Sequence, residues 1–225
     1  MVESDEPAKR LAFPPPWRAK LRDQMRPAIL SVLVLTVLTG GVFPLLLFAM
    51  GWPLFPRRAA GSLIRREGII VGSELIGQEF TRPEYFWSRP SAAGSGYDGT
   101  ASGGTNLSPN NPKLVNGSVD FTGIRQLAEV YRQRNGLAPD TPIPVDAITR
   151  SASGLDPHIS VDNALLQVAR VARVRGLGDE AVRHLVIDHI QGRQLGFLGD
   201  RRVSVLELNL ALDTMRGPAA SRASR

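Results

Sequence analysis

The chain of 225 residues contains no cysteine, so disulfides, thiolate metal sites and cysteine nucleophiles are all excluded. Aromatic residues are scarce at 6 %, and the basic groups are not interleaved with them as a surface for stacking nucleic-acid bases requires. The net charge of +6 forms no block of one sign: residues 1–27 hold six Lys/Arg against four Asp/Glu, and residues 57–225 hold 21 against 17. No nucleic-acid partner is expected. No Asp is followed by Lys, which excludes the Asp-Lys-Thr-Gly context of a phosphorylated P-type aspartate. A phosphate-cradling loop is missing too, since Gly94 and Gly99 have the right separation but Thr100 stands where the Lys must be.

One stretch lacks charge altogether. From Ala28 to Phe55 no residue is ionisable, and 28 residues at about 1.5 Å each exceed the roughly 30 Å of hydrocarbon in a bilayer. We read a transmembrane helix at 28–50, with Trp52 at the interface and Pro53 and Pro56 ending the helix before Arg57 and Arg58. The apolar run is much longer than the roughly 7–15 residues of a cleaved signal peptide, so a retained anchor is expected. Six basic residues precede the span and Arg57, Arg58, Arg65 and Arg66 follow it, which favours a cytoplasmic N-terminus. The expected layout is a cytoplasmic tail at 1–27, an extracytoplasmic soluble domain at 51–216 and a disordered tail at 217–225. Within the span, Thr36, Gly40 and Pro44 recur every four residues on one face, suited to packing against other helices or simply ordinary span composition. Pro44 also removes the hydrogen bond to the Gly40 carbonyl, which predicts a kink.

The remainder reads as one α+β domain, helical in its C-terminal half. Gly68–Gly72 predicts a short buried strand, and the aromatic and proline-rich run Pro83–Pro90 is expected to be pinned to the core. Ser91–Pro112 carries only Asp98 as charge; Tyr97 and Leu107 as anchors make it an ordered loop rather than a linker. Helices are predicted from a Ser118 cap to Asn135, from a Ser160 cap over Val161–Arg175, and from Asp179 to Gln191. In the second, Val168, Val171 and Ala172 face inward and Arg170 and Arg173 outward. Residues 204–213 alternate like a strand yet begin with a Ser204–Glu207 capping box, and we choose helix. His158, His184 and His189 have no metal-ligand spacing, and Ser153, Asp156 and His158 are only sequence neighbours, without a nucleophile elbow.

Several runs together resemble the KdpC family, the C chain of the Kdp potassium-transporting P-type ATPase. They are Gly72–Gln78, Tyr85–Ala92, Ser102–Leu107, Val145–Ser160, Arg175–Leu177, Leu195–Gly199 and Val205–Asp213, in the family's order. Thr105 stands where Ser is usual and Val161 where Pro is expected. The resemblance implies a non-hydrolytic accessory subunit of a bacterial inner-membrane potassium uptake complex, without a cofactor of its own. Its implied partners are a channel-like subunit that selects potassium, an ATP-hydrolysing P-type subunit and a small single-helix subunit, with lipid around the span. It also implies a catalytic-chaperone role in which Gln78 contacts ATP; a cytoplasmic N-terminus would place Gln78 outside the cell, which favours a structural role. Tyr85, Phe86, Arg89, Ser102 and Asn106 are the candidate partner contacts. The competing readings are a signal-anchored envelope enzyme and an assembly module unconnected with transport.

Overall fold

A computed structural model describes residues 21–215, in two compact units that meet between Ala60 and Gly61. Of the tail expected at 1–27, residues 1–20 lie outside the described residues and 21–27 belong to a helix, while the tail expected at 217–225 lies wholly outside them.

The first unit is a long apolar helix. Helix α1 (Leu21–Val37) passes through one π-helical turn (Leu38–Val42) into α2 (Phe43–Leu54), and a short α3 (Pro56–Ala59) follows. The stretch Asp23–Leu54 has 32 residues, a mean hydropathy of 2.4 in its most apolar window, and side chains facing outward all round. At about 1.5 Å per residue it is longer than a bilayer core is thick. Helix α2 ends at Leu54, between Pro53 and Pro56, and Arg57 and Arg58 fall in the short α3 that Pro56 opens, where a proline's missing N–H costs nothing. Hydroxyls inside the span return to the preceding turn, Ser31 Oγ to the Pro27 carbonyl and Thr39 Oγ1 to that of Leu35, both at 2.7 Å. Lipid demands such internal satisfaction.

The second unit, over its described residues, holds six helices, a two-stranded hairpin and a three-stranded sheet. Strands β1 (Leu63–Arg66) and β2 (Ile69–Ser73) form an antiparallel hairpin. The predicted strand at Gly68–Gly72 is thus present but not buried: Ile69 is 70 % exposed, because no second layer among the described residues covers the hairpin on that side. After short α4 (Pro112–Asn116) comes α5 (Ile124–Asn135), capped by Gly123 rather than Ser118. Ser118 is held instead in a turn, its N–H to the Phe121 carbonyl and its hydroxyl to Asp120. A one-turn α6 (Val145–Ile148) precedes β3 (His158–Ser160), α7 (Val161–Arg175) and α8 (Asp179–Asp188). Strands β4 (Ile190–Gln191) and β5 (Arg202–Ser204) then lead into α9 (Val205–Leu212). Helix α8 ends before Gln191, which pairs with Arg202, so β4 takes the residues assigned to its last turn.

Strand β5 is central in the antiparallel sheet β3-β5-β4, with Val203 opposite both Ile159 and Ile190. The core behind it joins Val168, Val171, Val182, Val186, Leu208 and Leu212 to Phe86, the one aromatic among its fully buried residues. Ser160 caps α7 through its hydroxyl on Asn163 N, and Gly176 ends that helix in the left-handed region, as the residue types require. Ser204 likewise caps α9.

Candidate docking site around the Pro83–Pro90 strap

The segment Pro83–Pro90 is neither helix nor strand, yet it is tied to the helical core by side chains that stand in for a neighbouring strand. Asn209 on α9 accepts from Phe86 N at 2.8 Å and donates to Phe86 O at 2.9 Å. Gln167 on α7 does the same for Trp87, at 2.7 Å and 3.2 Å. A side-chain amide both donates and accepts, so each satisfies both backbone groups of one residue and keeps capacity for further partners.

Arg170 completes the clamp. The helical pattern suggested an outward side chain, but it is only 2 % exposed. Its guanidinium donates to the carbonyls of Pro83 and Tyr85, to Gln167 Oε1 at 2.7 Å and to Asn135 Oδ1 at 2.9 Å, and it stacks 3.6 Å from the Trp87 ring. No carboxylate pairs with it among the described residues, and burial pulls its pKa down to about 10. Carbonyl and amide dipoles carry the charge, a task the planar five-donor fork suits and an ammonium does not. The network continues from Gln167 to Asn163, and from Asn163 to Tyr131 and to Asp146, which also accepts from Ser160 N and Oγ.

Two ion clusters flank the strap. Asp213 accepts from Arg175 at 2.8 Å, from the Tyr85 hydroxyl at 3.3 Å and from Arg66 at 3.4 Å. Arg89 meets Asp156 at 2.8 Å. Burial would raise the Asp156 carboxyl, but hydrogen bonds from His158 and the charge of Arg89 outweigh it, leaving the group below its ordinary range. Arg89 Nε is buried without a hydrogen-bond partner among the described residues. Between strap, loop and α5 lies a cavity of about 320 Å³, lined among others by Phe80, Trp87, Arg89, Tyr97, Tyr131 and Arg134.

The loop at 91–112 is ordered against residues 151–156. Ser91 Oγ donates to Gly154 O at 2.6 Å, Gly103 N to Ser153 O at 2.9 Å, and the Tyr97 hydroxyl to Arg89 O at 2.7 Å. Gly154 has φ of +68°, and a Cβ there would stand 2.6 Å from Ala93 N and Gly103 O, so only glycine lets the two loops meet. Burial pushes the Tyr97 phenol up to about 12.

Of the candidate contacts, Tyr85 and Arg89 are partly exposed on the strap, while Phe86 is fully buried and belongs to the core. Ser102 is exposed, with its hydroxyl on Ser153 O, and Asn106 is exposed with φ of +53°. Gln78 donates through Nε2 to Val71 O at 2.8 Å, and its own carbonyl accepts from Ser88 Oγ at 2.7 Å. Gly72 makes room for it: a Cβ there would meet Gln78 Nε2 at 2.3 Å and Leu206 at 2.7 Å. In the first unit Thr36, Gly40 and Pro44 are all exposed. The intervening π turn closes from Phe43 N to Leu38 O and inserts a residue, so a spacing of four no longer holds one face across it.

Asp156 and His158 are neighbours at 3.5 Å, but the Ser153 hydroxyl accepts from Leu155 N, so these groups form no triad. No group of three metal-ligating side chains exists among the described residues. The residues missed from sequence were the buried amides. Gln167 and Asn163 on α7 and Asn209 in the leucine-rich α9 share apolar faces, and an amide on such a face was the available sign.

An apolar helix of membrane-spanning length followed by one α+β domain defines a single-pass membrane protein. The family model KdpC, described as "K+-transporting ATPase, c chain", matches residues 25–214, and the chain belongs to that family. It is 48 % identical over 195 residues to the potassium-transporting ATPase KdpC subunit of Mycobacterium tuberculosis H37Rv, covering 87 % of this chain and all of the relative. The Koribacter versatilis subunit of the same name is 51 % identical over 83 % of this chain and 92 % of its own length. That of Methylococcus capsulatus is 49 % identical over 86 % and 99 %.

Proposed function

We propose that this chain is the accessory, non-hydrolytic subunit of a high-affinity, ATP-driven potassium uptake complex, and that its soluble domain serves assembly and stability. The match to the potassium-transporting ATPase c chain across residues 25–214 carries this reading. The comparisons lend nothing to an envelope enzyme or to an assembly module outside transport. The missing phosphorylatable Asp context and phosphate loop support the non-hydrolytic role. Potassium is the cargo of the complex, and the chain needs no cofactor of its own.

The proposed partners are a potassium-selecting channel-like subunit, an ATP-hydrolysing P-type subunit and a small single-helix subunit. Residues 28–50 cross the inner membrane from a cytoplasmic tail at 1–27, and residues 51–216 lie outside, in keeping with the six-to-four distribution of basic residues. The exposed small residues Thr36, Gly40 and Pro44, spread by the π turn over more than one face, pack against partner helices, and Tyr85, Arg89, Ser102 and Asn106 are the contact residues of the domain, with Phe86 anchoring the strap beneath them.

The family's catalytic-chaperone role assigns Gln78 to ATP. The side chain is engaged with Val71 O, and the preceding Gly77 N donates to Leu155 O at 2.8 Å, which favours a structural task for the Gly-Gln stretch. A pull-down in mild detergent tests the main reading: the tagged chain brings down pump subunits and by itself turns over no ATP. Purification without them, or turnover that survives repurification, contradicts it. Protease added to intact spheroplasts is expected to digest the domain and spare a tag at residue 1; the reverse pattern refutes the orientation.

A further inference from the structure

One turn of the soluble unit presents apolar side chains to water by construction. Gln194 N donates to Leu198 O and Leu198 N returns to Gln194 O, both at 2.9 Å, while Gly196 N reaches Arg193 O at 3.2 Å. The closed turn holds Leu195 at φ of +52°, Gly196 at +83° and Gly199 at +75°. A leucine in the left-handed region is unfavourable, and such strain persists only where the surroundings impose it. At its tip Leu195 is 83 % and Phe197 70 % exposed, with Leu198 47 % exposed behind them. At the base Arg193 pairs with Asp200 at 3.4 Å, whereas Arg201 is exposed and has no ion pair among the described residues.

We propose that Arg193–Arg201 is a docking finger that inserts Leu195 and Phe197 into an apolar pocket on another protein chain of the complex, with a carboxylate at the pocket's edge for Arg201. The inference rests on the accessory-subunit reading and adds the surface and the chemistry of its partner. A convex tip bearing two large apolar groups fits a concave site, and its hydrogen-bonded backbone is ordered before docking, which spares the entropy of ordering on contact. A lipid surface fits less well. Recognition of anionic headgroups uses clusters of about 4–8 basic residues, whereas here Arg193 is neutralised and Asp200, with its side chain 94 % exposed, would be repelled.

The test uses the full chain co-expressed with its pump subunits and purified in mild detergent. The double variant Leu195→Ser/Phe197→Ser is expected to co-purify with about tenfold less partner or worse, as loss of an interface anchor implies. Its melting temperature stays that of the parent, because neither side chain is buried in this chain. Val119→Ser, at an exposed apolar site elsewhere, leaves co-purification unchanged. A photo-reactive phenylalanine analogue in place of Phe197 is expected to label a protein chain of the assembled complex. Undiminished co-purification of the double variant, or adducts to lipid alone, overturns the proposal. If the parent chain recovers its partners and the double variant recovers them equally, only the finger fails; if the parent recovers none, the accessory-subunit reading fails with it.

Discussion

The strap at 83–90 and the turn at 193–201 are both irregular and both carry aromatic side chains, yet they use them in opposite ways. In the strap, polar side chains of α7 and α9 grip the backbone, with Asn135 of α5 holding Arg170 from behind, and Phe86 is driven to 0 % exposure. In the turn, the backbone bonds only to itself among the described residues, and Phe197 is left 70 % exposed. Apolar content alone therefore does not separate a core segment from a docking segment. What separates them is whether buried partners exist for the main chain, since an ungripped segment cannot enter the core without orphaning its N–H and C=O groups.

The sharpest way to break this contrast is to release the strap. Arg170→Met removes four hydrogen bonds and strands the carbonyls of Pro83 and Tyr85, and is expected to cost about 3–5 kcal/mol, read from denaturant or thermal melts. Arg170→Lys is expected to restore only part of it, since an ammonium neither forks nor stacks in the same way. A loss below about 1 kcal/mol for Arg170→Met would mean that the clamp does not hold the strap. Next, Asn209→Ala removes both partners of Phe86 and is expected to cost about 2–4 kcal/mol.

A smaller effect is expected at the edge of the strap, where Asp156 meets Arg89. The Asp156 pKa is lower folded than unfolded, so its stabilisation is fully present above the ordinary carboxylate pKa of about 4 and is lost as pH falls through the folded value. Melting temperatures of the parent should fall more steeply below that pH than those of Asp156→Asn. Equal slopes would show the pair to be energetically silent. Smallest of all, Leu195→Ser/Phe197→Ser is expected to change folding stability by under about 0.5 kcal/mol, since both side chains are already wet.

The same contrast explains which parts of the molecule were legible in the residue order. The span, the Ser160 and Ser204 caps, and the glycine that ends a helix, Gly176 after α7 and likewise Gly136 after α5, follow local rules, and each is present in the structure. Arg170 was misread because a helical wheel assigns charge to solvent and is blind to a carbonyl-rich strap arriving from 85 residues earlier. Ser118 has the chemistry of a cap, but Asp120 and Phe121 compete for it in a local turn. The hairpin strand Ile69–Ser73 looked buried because its apolar run was visible, whereas its exposure depends on layers that no local pattern encodes. The candidate site was legible as a set of motifs. Its organising groups, Asn163, Gln167 and Asn209, were not, because an amide on an apolar face becomes meaningful only when its partner is known.

The central claim, that this domain supports a pump without touching its nucleotide, is tested most directly at Gln78 in the intact, purified complex. Removing the Gln78 amide frees the Val71 carbonyl, at a cost of about 1 kcal/mol in local stability. For Gln78→Ala the account predicts unchanged subunit stoichiometry and an unchanged apparent KM for ATP. A hydrogen bond to a charged phosphate is worth about 1.5–3 kcal/mol, so a rise of roughly ten- to hundredfold in that KM, with assembly intact, would contradict it.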